Sequence, residues 1–423
     1  MPDLTPARHT RADSRLLEHI RICDLTGQLA GAGATRLLAS LGAQVIRVED
    51  PVRQGTWDIL RGTMPWVDGR RGIEAGGGFN NHNVEKLGVT INLRTDEGRE
   101  LLRRLIAVSD VVSENFASGV MRRLGFTYDT MAAIKSDIIY VSNCGFGHDG
   151  PYETFKTWGP IVQANSGLTF LSALDDGAPA GWGYSYMDHM GANTMALAIL
   201  AALVHKSFTG EGQWVDMGCV EAGATYLGPQ TLDVTANGNL SRVPGRPPSN
   251  RNRYPAMAPH GIYQCAGDDR WVAIACRDDR DWAALAPLID SSLATDERFA
   301  AFDGRFARHD ELDQRISAWT STRIDKSVEA LVLAAGVPAA MVSHPRDRCD
   351  DDERTAAWGL WPEAYNSFMG WVRVDGNPMH FSEDDWSITQ GAPCLGEDND
   401  YVFGDVLGYG SDEIERLRSE GII

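Results

Sequence analysis

The sequence predicts an α/β protein with a large domain, built on a Rossmann-like parallel sheet, and a smaller α/β domain. Three observations support this fold class. A β-α-β unit lies near the start of the chain, strand and helix patterns alternate after it, and a segment without periodicity at 232–260 precedes further strands and helices. Alternating strands and helices are typical of parallel sheets whose two faces are covered by helices.

The β-α-β unit comprises three consecutive segments. An apolar run predicts a strand at 20–26, small and apolar residues at helical spacing predict a helix at 31–42, and a β-branched run predicts a strand at 43–49. The pattern then recurs as a helix with a Thr cap followed by two strands, at 95–109, 110–116 and 136–147. Together these segments predict the sheet of the large domain.

The smaller domain is predicted from the second half of the chain. The segment 232–260 is rich in Gly, Pro, Asn and Arg, which predicts a linker or mobile loop. A hairpin at 261–276 and helices at 280–289 and 327–336 are expected after it. The proline-containing C-terminal segment predicts an extended chain with one clear helix at 411–421, which Ser411 caps and Gly421 ends.

The expected domain organisation has four parts: a flexible tail, the N-terminal part of the large domain, a linker with the small domain, and a linker with a C-terminal return to the large domain, at 1–17, 18–225, 226–340 and 341–423. The tail mixes charges and prolines without the apolar centre of a signal peptide. No window of about 18 apolar residues, the length of a membrane span, stands out from the sequence. These features predict a cytoplasmic protein without a membrane partner.

Charge and cysteine usage exclude several other classes of partner. The net charge is −19 and no run is rich in Lys or Arg, so a nucleic-acid partner is not expected. The seven cysteines are dispersed, odd in number and without a C-x-x-C pair, which favours reduced thiols in the cytoplasm. The pair His148-Asp149 and the acidic run at 350–353 lack ligand spacing, so no metal site is expected.

One acidic residue, Asp188, stands before an apolar segment at 191–204, which predicts a buried helix that ends near the turn Thr-Gly-Glu-Gly-Gln at 209–213. An Asp before a helix is most often an N-cap that accepts backbone N–H bonds. The alternative is a carboxylate nucleophile that the helix dipole keeps ionised and aimed. The segment alone leaves both interpretations open.

The chain resembles the family III CoA-transferases from about residue 18 to its C-terminus. The matching stretches occur in the family's order and are CDLTGQLAGAGATRLLASLGAQVIRVEDP, NVEKLGVTINL, SDVVSENFASGVMRRLGF, IIYVSNCGFGHDGPY, QANSGL, the segment around Asp188 with TGEGQWVDM, AAGVPAAMV and APCLGEDND. The aspartate that precedes the apolar helix in this family falls on Asp188. The resemblance therefore favours the nucleophile over the N-cap.

The resemblance implies transfer of coenzyme A from an acyl-CoA donor to a carboxylic acid acceptor. Asp188 would attack the thioester carbonyl to give a mixed anhydride and CoA thiolate. The thiolate would then form an aspartyl-CoA thioester, from which the acceptor takes the CoA through a second anhydride. The resemblance also implies an interlocked homodimer, an active site between the two domains, and neither a metal nor a permanently bound cofactor.

Further site residues follow from the same resemblance. Gln28, with the glycine turn around Gly31, is the candidate donor to the oxyanion. The expected CoA contacts are Ala30, Asn83, Lys86, Asn115, Phe116, Arg123 and Lys156. Asp50 stands where formyl-CoA transferase has an arginine near the nucleotide, so either Arg47 or Arg53 would substitute or this contact is absent.

The sequence disfavours three other functions. The segment GQLAGAG before Glu49 does not match G-x-G-x-x-G, which disfavours a dinucleotide dehydrogenase. Racemases of the same superfamily use a His-Asp pair where this chain has Trp158-Gly159, so a two-base racemisation of a 2-methylacyl-CoA is the weaker alternative. A CoA-binding protein without catalysis is disfavoured by the intact Asp188.

Four aromatic residues lie close to Asp188 in the sequence: Trp158, Trp182, Tyr184 and Tyr186. Aromatic residues near a helix most often belong to the core. The alternative is a roomy aromatic pocket for a bulkier acid.

Overall fold

The computed structural model describes residues 16–172, 178–238, 251 and 255–423. The described residues fall into two compact units. The first has the bounds Met1–Thr169, Gly181–Leu232 and Arg354–Ile423, and the second has the bounds Phe170–Ala180 and Asp233–Glu353. Most of the expected N-terminal tail, 1–15, lies outside the described residues.

Strands and helices alternate along the chain. The strands are β1 (Arg21–Leu25), β2 (Gln44–Glu49), β3 (Leu87–Thr90), β4 (Val111–Glu114), β5 (Ile139–Cys144), β6 (Gln213–Gly218), β7 (His260–Gln264), β8 (Trp271–Ala275), β9 (Ala339–Met341), β10 (Glu363–Asn366) and β11 (Gly370–Arg373). The α-helices are α1 (Ala32–Ser40), α2 (Gly77–His82), α3 (Asp96–Ala107), α4 (Val120–Arg123), α5 (Tyr128–Ile134), α6 (Gly159–Asn165), α7 (Leu168–Leu171), α8 (Tyr186–Thr209), α9 (Cys219–Thr225), α10 (Pro229–Asn237), α11 (Asp279–Ile289), α12 (Ser291–Thr295), α13 (Glu297–Ala300), α14 (Phe302–Ala307), α15 (His309–Thr320), α16 (Asp325–Ala334), α17 (Glu353–Trp358), α18 (Asn399–Tyr401) and α19 (Ser411–Ser419). Short 3₁₀ turns occupy Ile59–Gly62 and Val67–Gly69, and π-helical turns occupy Asp347–Asp351 and Val402–Val406.

The first unit is built on a six-stranded sheet of order β3-β2-β1-β4-β5-β6. All five neighbouring pairs are parallel. Side chains alternate between the two faces, so Ile22 of β1 packs with helices α1 and α8, whereas Cys23 packs with α3 and α19. The predicted parallel sheet with covered faces is confirmed.

Helix α8 differs from its prediction at both ends. It begins at Tyr186 rather than near 191, its N-cap position is Ser185, and Asp188 lies inside its first turn. The N-cap interpretation of Asp188 is therefore wrong. The helix ends where Gly210 adopts the left-handed conformation, with φ of 74°, and its N–H donates to the carbonyl oxygen of Lys206 at 2.8 Å.

Helix α8 is also less buried than predicted. One face, which includes Met195 and Ile199, lies in the core, while Leu197, Val204 and Phe208 are exposed. Among the described residues, α8 is the one helix with the length and apolar composition of a membrane span, although no such window was expected. The helix contacts α1, α6, α9 and β5, so much of its apolar composition is explained by packing in the core.

Three further predictions about local structure were wrong. Helix α10 occupies the start of the predicted linker, and a proline at its first position suits a helix start. The rest of that linker falls largely on 239–250 and 252–254, which lie outside the described residues. The C-terminal segment contains α17, α18 and the antiparallel pair β10–β11, and α19 is preceded by Gly410 at the N-cap, not by Ser411.

The second unit contains the antiparallel sheet β7-β8-β9. Helices α11, α15 and α16 pack with it around a core that includes Trp282, Ile316 and Val332. The predicted hairpin and the two predicted helices of this region are confirmed.

Candidate active site

The position of Asp188 follows from the direction of α8. This helix leads directly into β6, which is parallel to β5, so the helix must run against the strands. Near its C-terminus, Lys206 pairs with Asp137, just before β5, at 2.8 Å. Near its N-terminus, Gly191 lies against Cys219, which follows β6. Asp188 is therefore at the carboxyl edge of the sheet, where ligands bind in open α/β folds.

The carboxylate of Asp188 is half-buried and in close contact with helix α6. A Cβ placed on Gly159 would lie 2.7 Å from Oδ2 of Asp188 and 2.9 Å from Cβ of Ser185. Burial raises the pKa of the Asp188 carboxyl from 3.8 to about 6, and a hydrogen bond with the Ser185 side chain opposes this rise. The carboxylate remains the major form at pH 7, and desolvation is the largest cause of its shifted pKa. A desolvated, ionised carboxylate is suited to nucleophilic attack.

The loop between β1 and α1 approaches the first turns of α8. Gly191 lies beside Ala30, and the side-chain amide of Asn143 donates to the carbonyl oxygen of Ala30 at 3.4 Å. The amide of Asn115 both accepts from the N–H of Gly27 at 2.8 Å and donates to its carbonyl oxygen at 3.0 Å. This exchange joins the ends of β1 and β4, between which the strand order of the sheet reverses.

Gln28 lies in this loop in the left-handed conformation, with φ of 56°. Its N–H donates to the carboxylate of Asp58 at 3.0 Å, which fixes the turn. Its half-buried side-chain amide makes no hydrogen bond to any described residue. The amide therefore has free donors at the carboxyl edge.

Asn83 and Lys86 are buried beneath this edge. The Lys86 ammonium donates to Asp24 at 3.2 Å, to the carbonyl oxygen of Ala32 at 3.0 Å and to Asn83 at 3.0 Å. Burial lowers the pKa of Lys86 to about 8, although Asp24 opposes the shift. Burial also raises the pKa of Asp24, but Lys86 and Arg47 outweigh it and hold the pKa below its usual range. In this geometry Lys86 supports the start of α1, and its predicted contact with CoA stays a prediction.

The remaining predicted CoA contacts are more accessible. Phe116 is half-buried, with its ring centroid 5.3 Å from that of Trp57, and Arg123 and Lys156 are exposed. Arg47, offered as a substitute for the missing nucleotide arginine, is buried against Asp58 at 2.7 Å, whereas Arg53 is exposed. Of these two, only Arg53 is accessible to a ligand.

The four aromatic residues near Asp188 do not belong to the core. Their exposed fractions are 51% for Trp158, 45% for Trp182, 58% for Tyr184 and 48% for Tyr186. Trp182 and Tyr186 are in edge contact at 5.5 Å, and Tyr184 stacks on His189 at 5.2 Å. The core interpretation is wrong for these residues.

Sequence reasoning missed residues that support the site through packing. A Cβ on Gly159 would contact both Asp188 and Ser185, and Cys219 donates to Asn143 at 2.9 Å beside Gly191. The sequence singles out Gly159 only as a residue that stands where racemases have a His-Asp pair. No sequence motif marks the other contacts.

A second cluster missed by sequence reasoning surrounds His148 at the same sheet edge. Its Nδ1 lies 2.8 Å from Asp216 of β6, and its Nε2 lies 3.5 Å from Glu114 of β4. Burial lowers the pKa of His148, but hydrogen bonds with Cys144 and Glu114 outweigh it and raise the pKa to about 11. The cluster joins three strand ends. Among the described residues, no group of His, Cys, Asp or Glu is arranged to hold a metal ion.

Replacing His148 with Gln is expected to destabilise the protein by about 3 kcal/mol at pH 7, because two carboxylates lose their cationic partner. A histidine with a raised pKa stabilises the fold fully below pH 6.5, and this contribution is lost as the pH rises towards about 11. The loss of stability caused by His148→Gln, measured by urea unfolding, should therefore be smaller at pH 10 than at pH 7. His205→Gln, at an exposed histidine, is the control. An equal loss at both pH values would contradict a charged His148.

Comparisons with known proteins find relatives over nearly the whole chain. The model of CoA-transferase family III matches residues 17–399. A formyl-CoA:oxalate CoA-transferase of Streptomyces avermitilis is 32% identical over 424 residues, covering 97% of this chain and all of that protein. A probable CoA-transferase of Mycobacterium tuberculosis is 30% identical over 437 residues, and this chain spans about half, 52%, of its length. The crystal structure of a CAIB/BAIF family protein from Brucella suis matches with a TM-score of 0.83 and 30% identity, over 93% of this chain and 100% of that chain.

Proposed function

The chain belongs to CoA-transferase family III, and on this premise we propose that it moves CoA from an acyl-CoA to a carboxylic acid with Asp188 as nucleophile. The observation that carries the proposal is a half-buried carboxylate with a pKa of about 6 at the carboxyl edge of the parallel sheet. The side-chain amide of Gln28, which makes no hydrogen bond to a described residue, lies at the same edge of the sheet as Asp188. The exposed aromatic rings lie close to Asp188 in the sequence.

The proposed reaction proceeds through three covalent intermediates. An oxygen of Asp188 attacks the thioester carbonyl, the C–S bond breaks, and CoA leaves as a thiolate. The thiolate attacks the aspartyl carbonyl of the anhydride and expels the donor acid as a carboxylate. The acceptor carboxylate then displaces CoA from the aspartyl thioester, and the returning thiolate attacks the acceptor carbonyl, which regenerates Asp188. No net proton transfer occurs.

The surroundings of Asp188 suit these steps. Each attack develops negative charge on a carbonyl oxygen, and we propose that the side-chain amide of Gln28 donates to that oxygen. A racemase needs a second proton carrier, and the position its family uses holds Trp158 and Gly159, neither of which can exchange a proton. The exposed rings around Asp188 favour an acid bulkier than oxalate.

The substrate needs positive charge for its phosphates, which an acidic protein must supply locally. We propose that Arg123 and Lys156, both exposed, bind CoA together with Ala30, Asn115 and Phe116, and that Asn83 and Lys86 stabilise this edge from below.

We also propose a cytoplasmic homodimer. All seven cysteines are thiols and not disulfides, which suits a reducing compartment. The exposed apolar residues Leu197, Val204 and Phe208 of α8 offer a surface that a second copy would cover.

The covalent route is tested by trapping. When the protein turns over an acyl-CoA in the presence of hydroxylamine, the acylated aspartate should be converted into a hydroxamate. Peptide mass spectrometry should locate this hydroxamate at Asp188, because an activated aspartyl group reacts with amines whereas a free carboxylate does not. Omitting the acyl-CoA is the control. An unmodified Asp188 peptide after many turnovers would contradict the nucleophilic role.

A further inference from the structure

One face of helix α6 packs against the first turn of α8 and against α9. At its start, Gly159 lies against the carboxylate of Asp188. Just after its end, the side chain of Ser166 lies against Gly223 of α9, which also contacts Met187. Gln163 is on the same face, one helical turn after Gly159 and three residues before Ser166.

The side chain of Gln163 is buried without a complete set of hydrogen bonds. It is 3% exposed, and its Nε2 atom has no hydrogen-bond partner among the described residues. Buried donors are nearly always paired, because an unpaired one costs free energy. Each such group in a native protein calls for an explanation, and beside an active site one explanation is a partner that the group gains in another state.

Side chains of helical residues lean towards the N-terminal end of their helix. From position 163 this direction leads back over the turn that begins at Gly159, where the Asp188 carboxylate lies. A glutamine side chain spans about 5 Å, which is close to the rise of one helical turn and so to the separation of Gln163 from Gly159 along α6.

We propose that Gln163 is a positioning residue for Asp188: its carboxamide donates a hydrogen bond to the Asp188 side chain when the acyl-CoA is bound. This inference rests on the proposed function. In the structure this donor has no partner among the described residues. When bound substrate displaces the carboxylate from Gly159, the bond forms, stabilises the ionised side chain and aims one oxygen at the thioester carbonyl.

The test compares Gln163→Met, which keeps the length of the side chain and removes the donor, with Gln163→Glu. Gln390→Met is the matched control, because Gln390 is also buried with an unpaired Nε2 but lies beside Glu85 and Tyr365. We expect kcat to fall about 10- to 100-fold in Gln163→Met with little change in KM, and more in Gln163→Glu. The acid limb of the profile of kcat against pH should move to higher pH by about one unit, because the Asp188 carboxylate loses a hydrogen bond that lowers its pKa.

Thermal unfolding separates this role from a structural one. Removing an unpaired buried donor should leave the Tm of Gln163→Met unchanged or raised, as in Gln390→Met, which should keep full activity. The inference is overturned if Gln163→Met keeps its kcat and acid limb, or if its Tm falls in proportion to its activity.

A readout independent of turnover separates this inference from the proposed function. The midpoint of carbodiimide labelling of Asp188, measured against pH with a non-hydrolysable acyl-CoA analogue bound, should rise in Gln163→Met. If hydroxylamine marks Asp188 in the wild-type protein but this midpoint does not move, the inference about Gln163 alone fails. If hydroxylamine never yields a hydroxamate at Asp188 in the wild-type protein, Asp188 is not the nucleophile and the proposed function is wrong.

Discussion

Asp188→Asn should abolish CoA transfer and, at pH 8, make the protein more stable. The amide cannot form the anhydride, so we expect kcat to fall by at least about 10⁴-fold. Stability should rise because burial raises the pKa of the wild-type carboxyl from 3.8 to about 6. Above pH 6 the folded wild-type protein holds an ionised carboxylate that burial disfavours, and the amide removes this cost.

The pH dependence gives the sign of the stability effect. Each pKa unit corresponds to about 1.4 kcal/mol, and partial solvent exposure reduces the full shift to an expected gain of about 2 kcal/mol. At pH 4 the carboxyl is protonated in the folded state and about half ionised in the unfolded state, so most of the gain should be lost there. Urea unfolding at pH 4 and pH 8 measures it, with Glu211→Gln, at an exposed acid, as the control. Substantial transfer by Asp188→Asn would remove Asp188 as the nucleophile.

Gly159→Ala should lower kcat by about 100-fold while leaving CoA binding largely intact. The new methyl group would lie 2.7 Å from Oδ2 of Asp188 and 2.9 Å from Cβ of Ser185, closer than real Cβ contacts. The carboxylate or the start of α8 must therefore shift. A displacement of about 1 Å at a reacting group costs about two orders of magnitude in rate.

The matched control is Gly62→Ala, because nothing lies within 4 Å of a Cβ at Gly62. A double-mutant cycle tests the contact itself, since Gly159→Ala should destabilise the wild-type protein more than it destabilises Asp188→Ala. Equal destabilisation in both backgrounds, or full activity of Gly159→Ala, would show that this contact does not position the nucleophile.

Much of the fold was predictable because local patterns and sheet topology agree. The β-α-β unit, the helix opened by Thr95 and the hairpin at 261–276 lie close to their predicted bounds. The predicted helix boundaries were wrong where a cap or a turn, and not the hydrophobic periodicity, determines where a helix begins or ends. Helix α8 extends back to Tyr186 through a polar segment that its apolar pattern did not include, and Gly410 caps α19 in place of Ser411.

The residues of the candidate site were predicted from the order of motifs, and their roles stay predictions, whereas the environment of each residue could not be predicted. Motif order pointed to Asp188, Gln28 and Asn115, which the fold places at one edge of the sheet. Lys86 shows the limit of prediction from the sequence. A lysine is suited to binding a phosphate, but the fold buries the ammonium of Lys86 against Asp24. Burial depends on residues distant in the chain, and no local pattern reports it.

The sequence by itself determined the family, the parallel sheet and the place of Asp188 just before a long apolar segment, because these follow from the order of residues along the chain. Only the tertiary structure decided that Asp188 has a pKa near 6, that Gly159 presses on it, and that Gln163 holds an unpaired donor nearby on α6. The reason is physical: desolvation and close packing arise between segments that meet only after the chain has folded.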